Sequence, residues 1–251
     1  MTRQLLFAGA ILLAGAGFGS ATTIADFTFE TSSNYFSNGG AGLTVNTTTA
    51  QAAEAGSGAT FKGVHSDNTA QVKWNAYPGD GASAAVGGTD LSINDYWEFD
   101  FGTNTFPQLL LTWYQTSSTS GPGKWSVQYT TDNWASAPIA VSTLVNPNTF
   151  ATTSIYTVLE NSAGNGGVWS GSGATINNYQ QQFEFAAQNA TGIRLYVKND
   201  TNASGGTTFN LGSSSRIDNM LIEGVPEPST WAGMLSGLAA LGVYRRRRGR
   251  A

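Results

Sequence analysis

The stretch YWEFDF, residues 96–101, alternates aromatic and acidic side chains. Successive side chains of an extended strand point to opposite faces, so Trp97, Phe99 and Phe101 share one face. Glu98 and Asp100 then lie on the other face. A repeat of two residues predicts a β-strand with one buried side and excludes an amphipathic helix, which needs a repeat of 3.6.

The same alternation recurs through residues 22–224, between clusters of Gly, Asn, Ser and Pro that mark turns. Shared apolar faces are predicted for Phe27 and Phe29, for Leu109, Leu111 and Trp113, and for Trp125, Val127 and Tyr129. Further strands are predicted at residues 24–30, 154–159, 182–187, 192–198, 207–211 and 216–223, and loops at residues 44–58 and 162–173. About ten strands without a dividing linker predict one all-β domain, a two-sheet antiparallel β-sandwich of the jelly-roll kind.

Charge is divided unevenly between this domain and the two ends of the chain. Residues 22–224 hold 6 basic and 15 acidic residues, which gives a formal charge of −9. Nucleic-acid binding needs clustered Lys and Arg against phosphates, so this composition excludes a nucleic-acid partner for the body. The chain has no Cys, which excludes disulfides, thiol catalysis and Cys-based metal sites.

Residues 1–21 have the pattern of a secretory signal peptide. Arg3 supplies the positive charge, residues 5–18 form the apolar segment, and residues 19–21 are small, as cleavage requires. A buried N-terminal helix is the alternative, although the glycines of this segment disfavour it. We expect a signal helix that signal peptidase removes after Ala21.

The other end, residues 225–251, combines three features. Pro226, Glu227 and Pro228 form an extended hinge, because proline cannot continue a strand. Residues 230–244 are uncharged and apolar and are predicted to form a short transmembrane helix, although a full span takes roughly 20 residues. An arginine cluster at residues 245–250 follows, and the positive-inside rule predicts that it stays in the cytoplasm as a membrane stop. Its successive members are Arg245, Arg246, Arg247 and Arg248.

Together these three features resemble the PEP-CTERM sorting tail of Gram-negative bacteria, a segment also labelled an ice-binding-protein C-terminal domain. The resemblance implies that a membrane-embedded exosortase recognises Pro226, Glu227 and Pro228. The body would be held transiently on the periplasmic side of the inner membrane, and would reach the cell surface or the medium when the tail is removed. The resemblance also implies an association with exopolysaccharide or biofilm matrix. A plain C-terminal anchor behind an ordinary linker is the alternative.

A second resemblance concerns the body. Residues 125–134 resemble the strand and T-D-x-W turn of jelly-roll domains on exported proteins. Residues 193–197 and 216–224 are similar to the final strands of carbohydrate-binding modules and laminin-G-like domains. The resemblance implies a fold more than a ligand.

Asp218 interrupts the apolar pattern of the last predicted strand. In the carbohydrate-binding jelly rolls that the body resembles, a similar Asp joins an acid of an early strand around a structural calcium ion. The resemblance therefore implies a calcium site at Asp218 with Asp26 or Glu30, since calcium binds six to eight oxygens. A carboxylate that caps a turn or faces solvent is the alternative.

Trp134 and Trp169 occur in loop sequences that contain Gly or Asn. Flat aromatic surfaces stack on the CH faces of sugars, so these two residues are the candidate glycan contacts. Packing in the core is the alternative for each.

Catalytic residues are scarce. His65 is the only histidine and lies in a sequence typical of a turn, which leaves too few imidazoles for a zinc site. Glu98 and Asp100 are a candidate glycosidase pair, but their spacing is the one that a solvent-facing strand side gives. We therefore expect an exported, non-catalytic surface or matrix protein. The alternatives are a glycan-binding module that acts on exopolysaccharide and, third, a secreted glycoside hydrolase.

Overall fold

The computed structural model describes residues 21–29, 43–44, 51–53, 58–66, 73–78, 84–160, 179–208, 210 and 213–226. These residues form strands and connections. The strands are β1 Thr22–Phe27, β2 Leu43–Thr44, β3 Gln51–Ala52, β4 Thr60–Val64, β5 Lys73–Pro78, β6 Ala84–Thr89, β7 Tyr96–Asp100, β8 Gln108–Ser117, β9 Lys124–Thr130, β10 Ile139–Ala140, β11 Leu144–Val145, β12 Thr152–Thr153, β13 Tyr156–Thr157, β14 Leu159–Glu160, β15 Gln180–Ala186, β16 Gly192–Val197 and β17 Ser214–Val225.

The strands form two sheets. The ten-stranded sheet has the order β12-β11-β15-β8-β17-β6-β5-β2, with β1 paired to β17 and β14 to β8. The seven-stranded sheet has the order β10-β9-β16-β7-β4-β3, with β13 paired to β9. The pairing is antiparallel apart from β14, which runs parallel to β8. The predicted all-β fold with two antiparallel sheets is therefore confirmed.

Strand β17 lies at the centre of the larger sheet and changes its partner along its length. Its first part pairs with β6, and from Met220 to Gly224 it pairs with β1, where Gly224 is opposite Thr22. A bulge between Asp218 and Leu221 separates the two parts, and Asn219 within it has a φ of 49°. An extra residue of this kind bends a strand and increases its twist. The irregularity predicted at Asp218 is thus a bulge that lets one strand serve two neighbours.

The core lies between the two sheets and is rich in aromatic rings. Trp97 and Phe99 are fully buried, and Phe101 is buried beside them, as the alternation in residues 96–101 predicts. Phe27 of the larger sheet contacts Phe99 of the smaller one, with ring centroids 5.2 Å apart in an edge-to-face arrangement. Phe61 contacts both rings. Such pairs stabilise a core beyond the apolar area that they bury.

Three predictions about local structure need correction. Thr207 and Thr208 do not form a strand, because the side chain of Asn202 holds this segment as a loop: its Nδ2 donates to Thr208 O at 2.9 Å and its Oδ1 accepts from Gly206 N at 2.6 Å. Residues 44–58 are not entirely a loop, since they contain β3. Residues 154–159 are divided between β13 and β14, which join different sheets.

Several predicted segments lie outside the described residues: the signal segment up to residue 20, the loop at 162–173, and the apolar stretch and arginine cluster at 230–250. Within the part of the chain that is described, no helix has the length and apolar character to cross a membrane.

Candidate functional site

Glu98 lies at the centre of a row of charges on the outer face of the seven-stranded sheet. It is directly opposite Lys62 of β4 on one side and Arg194 of β16 on the other. Arg194 Nε and Nη2 each lie 2.6 Å from Glu98 Oε2. Lys62 Nζ lies 2.5 Å from Oε1 as an ion pair without hydrogen-bond geometry. The prediction that Glu98 faces solvent is wrong: it is 1% exposed, because two cations from neighbouring strands cover and neutralise it.

Trp134 completes this row from the loop that follows β9. Asn133 and Trp134 both have positive φ, 55° and 65°, and this unusual backbone turns the indole back onto the sheet. Its Nε1 donates to Asp100 Oδ1 at 2.6 Å, and the Arg194 guanidinium lies 3.7 Å from the ring centroid as a cation–π contact. Lys62, Glu98, Asp100, Trp134 and Arg194 are named here the outer-face cluster.

Gly192 allows the Trp134 indole to lie close to the sheet. A Cβ at this position would lie 2.7 Å from Asp100 Oδ1 and 3.1 Å from Trp134 Cζ2. The indole therefore lies against bare backbone. Trp134 was predicted from its loop context, whereas its partner Arg194 was missed, because the two are brought together only by the pairing of β9 with β16.

The two carboxylates of the outer-face cluster are each engaged by other members of the cluster. Glu98 is held by two cations, and the Asp100 carboxylate accepts from the indole. A glycosidase acid must give its proton to a leaving group, and its partner must attack carbon or activate water. The contacts of Glu98 and Asp100 are those of a structural network.

The environment of Asp100 in this network makes the stability of the folded protein depend on pH. Burial raises the pKa of Asp100 above 3.8, the neighbouring Glu98 adds to this, and the hydrogen bond from Trp134 opposes it. As the pH rises from 3.8, the carboxyl ionises first in the unfolded chain, so the folded state loses stability until the pH passes the folded pKa. In Asp100→Asn this loss is absent, while the amide oxygen still accepts from Trp134. We expect the melting temperature of the wild type, relative to Asp100→Asn, to fall over this window and then to level off.

The matched control is Asp132→Asn. Hydrogen bonds from Ser136 and Thr130 lower the pKa of Asp132, so its contribution is present above pH 3.8 and is lost as the pH falls through the folded pKa. Melting curves between about pH 3 and about pH 8 should therefore show opposite slopes for the two variants relative to the wild type. Equal slopes would contradict the described environment of Asp100.

A second feature is a cleft of about 580 Å³ where the open edges of the two sheets meet. Tyr129 and Ile139 border it from the smaller sheet, and Glu184 and Phe185 from the larger one. The connection from β10 to β11, which carries the chain between the sheets, passes along it. We name it the edge cleft. Its polar lining residues are Gln108, Tyr129, Ser142, Thr143 and Glu184.

The polar side chains of the edge cleft differ from those of the outer-face cluster in one respect. Within the described residues, none of the five makes a side-chain hydrogen bond or ion pair to the protein. Their bonding capacity is therefore directed to solvent or to a ligand. Sequence reasoning missed this cleft, because its walls come from five strands, β8, β9, β10, β11 and β15, which lie between residues 108 and 186.

Asp218 and Asp26 of the predicted calcium site lie on neighbouring strands, and Glu30, the other predicted partner, lies outside the described residues. Asp218 is fully buried and its Oδ1 accepts from Asn219 N at 2.9 Å. Asp26 is half-buried and opposite Leu221, three residues further along β17. Across the described ranges, no group of three or more His, Asp or Glu side chains has the arrangement of a metal site. Calcium binding at this bulge remains a prediction.

His65 follows β4 directly and is buried, and the prediction of a turn here is corrected because the preceding Gly63 and Val64 belong to β4. Its Nδ1 lies 2.7 Å from Asp95 Oδ2, and Asp95 also accepts from the backbone N of Ser66 and Ser92. Burial raises the pKa of Asp95, and these hydrogen bonds oppose the rise. The Ser66 hydroxyl lies 3.1 Å from both Ile93 O and Asp95 Oδ1. The arrangement links the end of β4 to the turn before β7.

Of the other candidate residues, the structure describes Pro226 alone. Pro226 follows directly after β17. Trp169, Glu227, Pro228 and the arginines Arg245, Arg246, Arg247 and Arg248 lie outside the described residues.

Comparison with known proteins identifies the end of the chain. Residues 224–248 match the family model described as the PEP-CTERM protein-sorting motif. No curated protein sequence matches the chain.

Several solved structures resemble the fold. The K1 cleaved adhesin domain of Lys-gingipain from Porphyromonas gingivalis is 11% identical, with a TM-score of 0.37, over 64% of this chain and 89% of that one. The K2 cleaved adhesin domain of Lys-gingipain is 12% identical, with a TM-score of 0.34, over 64% and 87%. The CBM22-1–GH10 modules of Clostridium thermocellum endo-1,4-beta-D-xylanase 10B are 7% identical, with a TM-score of 0.33, over 62% and 25%. At these values the similarities do not assign a function to this chain.

Proposed function

Because residues 224–248 form a PEP-CTERM protein-sorting motif, we propose that this chain is a non-catalytic protein of the cell surface or extracellular matrix. The motif marks an exported protein that is anchored transiently in a membrane and processed by an exosortase. In our proposal the exosortase acts at Pro226, Glu227 and Pro228, and the body of residues 22–224 remains outside the cell.

The observation that carries this proposal is the position of the motif relative to the last strand. Strand β17 ends at Val225 and Pro226 follows at once. Proline has no N–H to extend the ladder, so the chain leaves the sheet where the Pro226-Glu227-Pro228 sequence begins, two residues into the matched motif. Removal of the tail would therefore spare β17.

The arginine cluster supports an orientation. Arginines next to an apolar segment stay on the cytoplasmic side, which would hold the body on the periplasmic side until cleavage. A non-catalytic role is supported by the outer-face cluster, in which Glu98 is neutralised by Lys62 and Arg194. A glycoside hydrolase that uses Glu98 and Asp100 is the least supported alternative.

The intact mass of the protein recovered from the surface and the medium of the producing cells tests the proposal. We expect a species that begins at Thr22 and lacks everything from about Pro226 onward, because both processing enzymes cut there. In a variant with Pro226→Ala and Pro228→Ala, the tail should remain attached. A matched control is Pro147→Ala, at a half-buried position in the loop that follows β11, which should be processed normally. A wild-type mass that retains residues 231–250 would make the tail a permanent anchor and would contradict the proposal.

A glycan-binding module for exopolysaccharide is the second candidate, and the edge cleft with its unbonded polar side chains favours it. Trp134 and Trp169 stay candidate contacts for such a ligand. A structural calcium ion at Asp218 and Asp26 is also part of this proposal, and an unchanged melting temperature in millimolar calcium would remove it.

A further inference from the structure

We propose that the edge cleft binds a neutral polysaccharide chain. The inference rests on the second candidate function, glycan binding, and names the site and the ligand class. The volume of the edge cleft, about 580 Å³, falls within the range of about 300–1,000 Å³ that is usual for ligand pockets.

The apolar part of the cleft suits the CH faces of sugar rings. The half-buried Tyr129 of β9 packs against Phe185 of β15, with ring centroids 6.4 Å apart, and because Phe185 is buried, Tyr129 supplies the aromatic surface of the cleft. Ile139 on the rim is 43% exposed and adds an aliphatic surface beside the Tyr129 ring. Aromatic and aliphatic surfaces of this kind pair with the CH face of a pyranose ring.

The polar part suits hydroxyl groups. Gln108, Ser142 and Thr143 each offer both a donor and an acceptor, and the Tyr129 hydroxyl does the same, whereas Glu184 only accepts. None of these side chains is bonded to the protein within the described residues. A polyol matches this set because every sugar hydroxyl both donates and accepts. A purely apolar ligand would leave all five groups without partners, at a cost for each.

The charge of the body decides between neutral and acidic chains. Residues 22–224 carry a formal charge of −9, and Glu184 is the carboxylate among the residues that line the cleft. No lining residue is Lys or Arg. An acidic polysaccharide would be repelled both at a distance and at the site. A neutral chain carries no such penalty.

The outer-face cluster is a weaker candidate for the same ligand. One face of the Trp134 ring is covered by the Arg194 guanidinium, and its Nε1 is already bonded to Asp100. A sugar would have to displace these contacts, whereas the edge cleft requires no displacement of a protein hydrogen bond.

The test uses the exported protein purified from the cells that make it. Polysaccharide from the same cells is treated with proteinase and separated by anion exchange into a neutral and an acidic pool. We expect binding to the neutral pool. Glu184→Gln and Ile139→Ala should each weaken it about tenfold, since a hydrogen bond to a charged group or a buried aliphatic contact contributes that much. Tyr129→Phe, which keeps the ring packed, should weaken it less. The matched control Glu223→Gln lies on the same sheet outside the cleft and should bind as the wild type.

Each of the other possible outcomes would refute one specific part of the proposal. Binding that survives all three cleft variants would refute the site and leave glycan binding intact. Preference for the acidic pool would refute the ligand class. Binding to untreated material that both proteinase-treated pools fail to reproduce would assign the cleft to a protein partner. No binding to the untreated material or to either pool would refute the glycan-binding function and this inference with it.

Discussion

Replacement of Phe99 by alanine is expected to lower the free energy of unfolding by about 3–5 kcal/mol, the usual cost of truncating a buried Phe. Phe99 is fully buried on the central part of the smaller sheet and contacts Phe27 of the larger one at 5.2 Å. It also stacks on Phe61 at 5.8 Å. The cavity would therefore open between the two sheets. For a domain of this size the melting temperature should fall by about 10 °C, which calorimetry or denaturant unfolding would measure.

Phe150→Ala is the matched control, because the same atoms are removed from a side chain that is 81% exposed. Both phenylalanine and alanine must adopt the positive φ of 56° there, so the backbone cost is unchanged. We expect a change within about 0.5 kcal/mol. If Phe99→Ala proved no more damaging than Phe150→Ala, the described packing between the sheets would be wrong.

Replacement of Glu98 by alanine should lower the free energy of unfolding by about 2–4 kcal/mol, because it leaves two cations without their partner. The Arg194 and Lys62 side chains are 15% and 30% exposed. Water can therefore reach both cations in part. For this reason we expect a smaller loss of unfolding free energy than the largest values found when one partner of a fully buried ion pair is removed. Loss of Arg194's anchor should also loosen Trp134, and the fluorescence of the folded protein should change.

Two further variants separate charge from shape. Glu98→Gln keeps an oxygen that accepts from Arg194 and should recover part of the stability. Glu223→Ala removes a half-buried carboxylate on the other sheet, for which no ion pair is found in the described residues, and should cost less than about 1 kcal/mol. Equal stabilities for Glu98→Ala and Glu223→Ala would show that the ion pairs across β4, β7 and β16 contribute nothing measurable.

The inner faces of the sheets followed from sequence because strand alternation is a local property. Trp97, Phe99, Leu111 and Trp113 are all buried as predicted. Glu98 obeyed the same alternation and was still predicted wrongly. Its burial depends on Lys62 and Arg194, which are 36 and 96 residues away and become neighbours only through strand pairing.

The candidate sites also differ in whether they depend on local sequence or on strand pairing. The sorting motif is continuous in sequence and was recognised there, and the match at residues 224–248 confirms it. Trp134 was singled out from its turn, but its contacts to Asp100 and Arg194 depend on the register of β9, β16 and β7. The edge cleft has no local sequence pattern, because it arises where two sheets end beside each other.

The pairing of β1 with β17 has a consequence for the order in which the molecule is assembled. Thr22 and Gly224 are 202 residues apart in the chain, yet they are opposite each other in the sheet. Contacts this distant form late, because the loop between them must close first. The first strand to emerge from a translocation channel therefore waits, with its backbone groups solvated, until the last strand has followed. An export intermediate that stalls before residue 214 leaves β1 and one side of β8 unpaired, and such open edges invite aggregation.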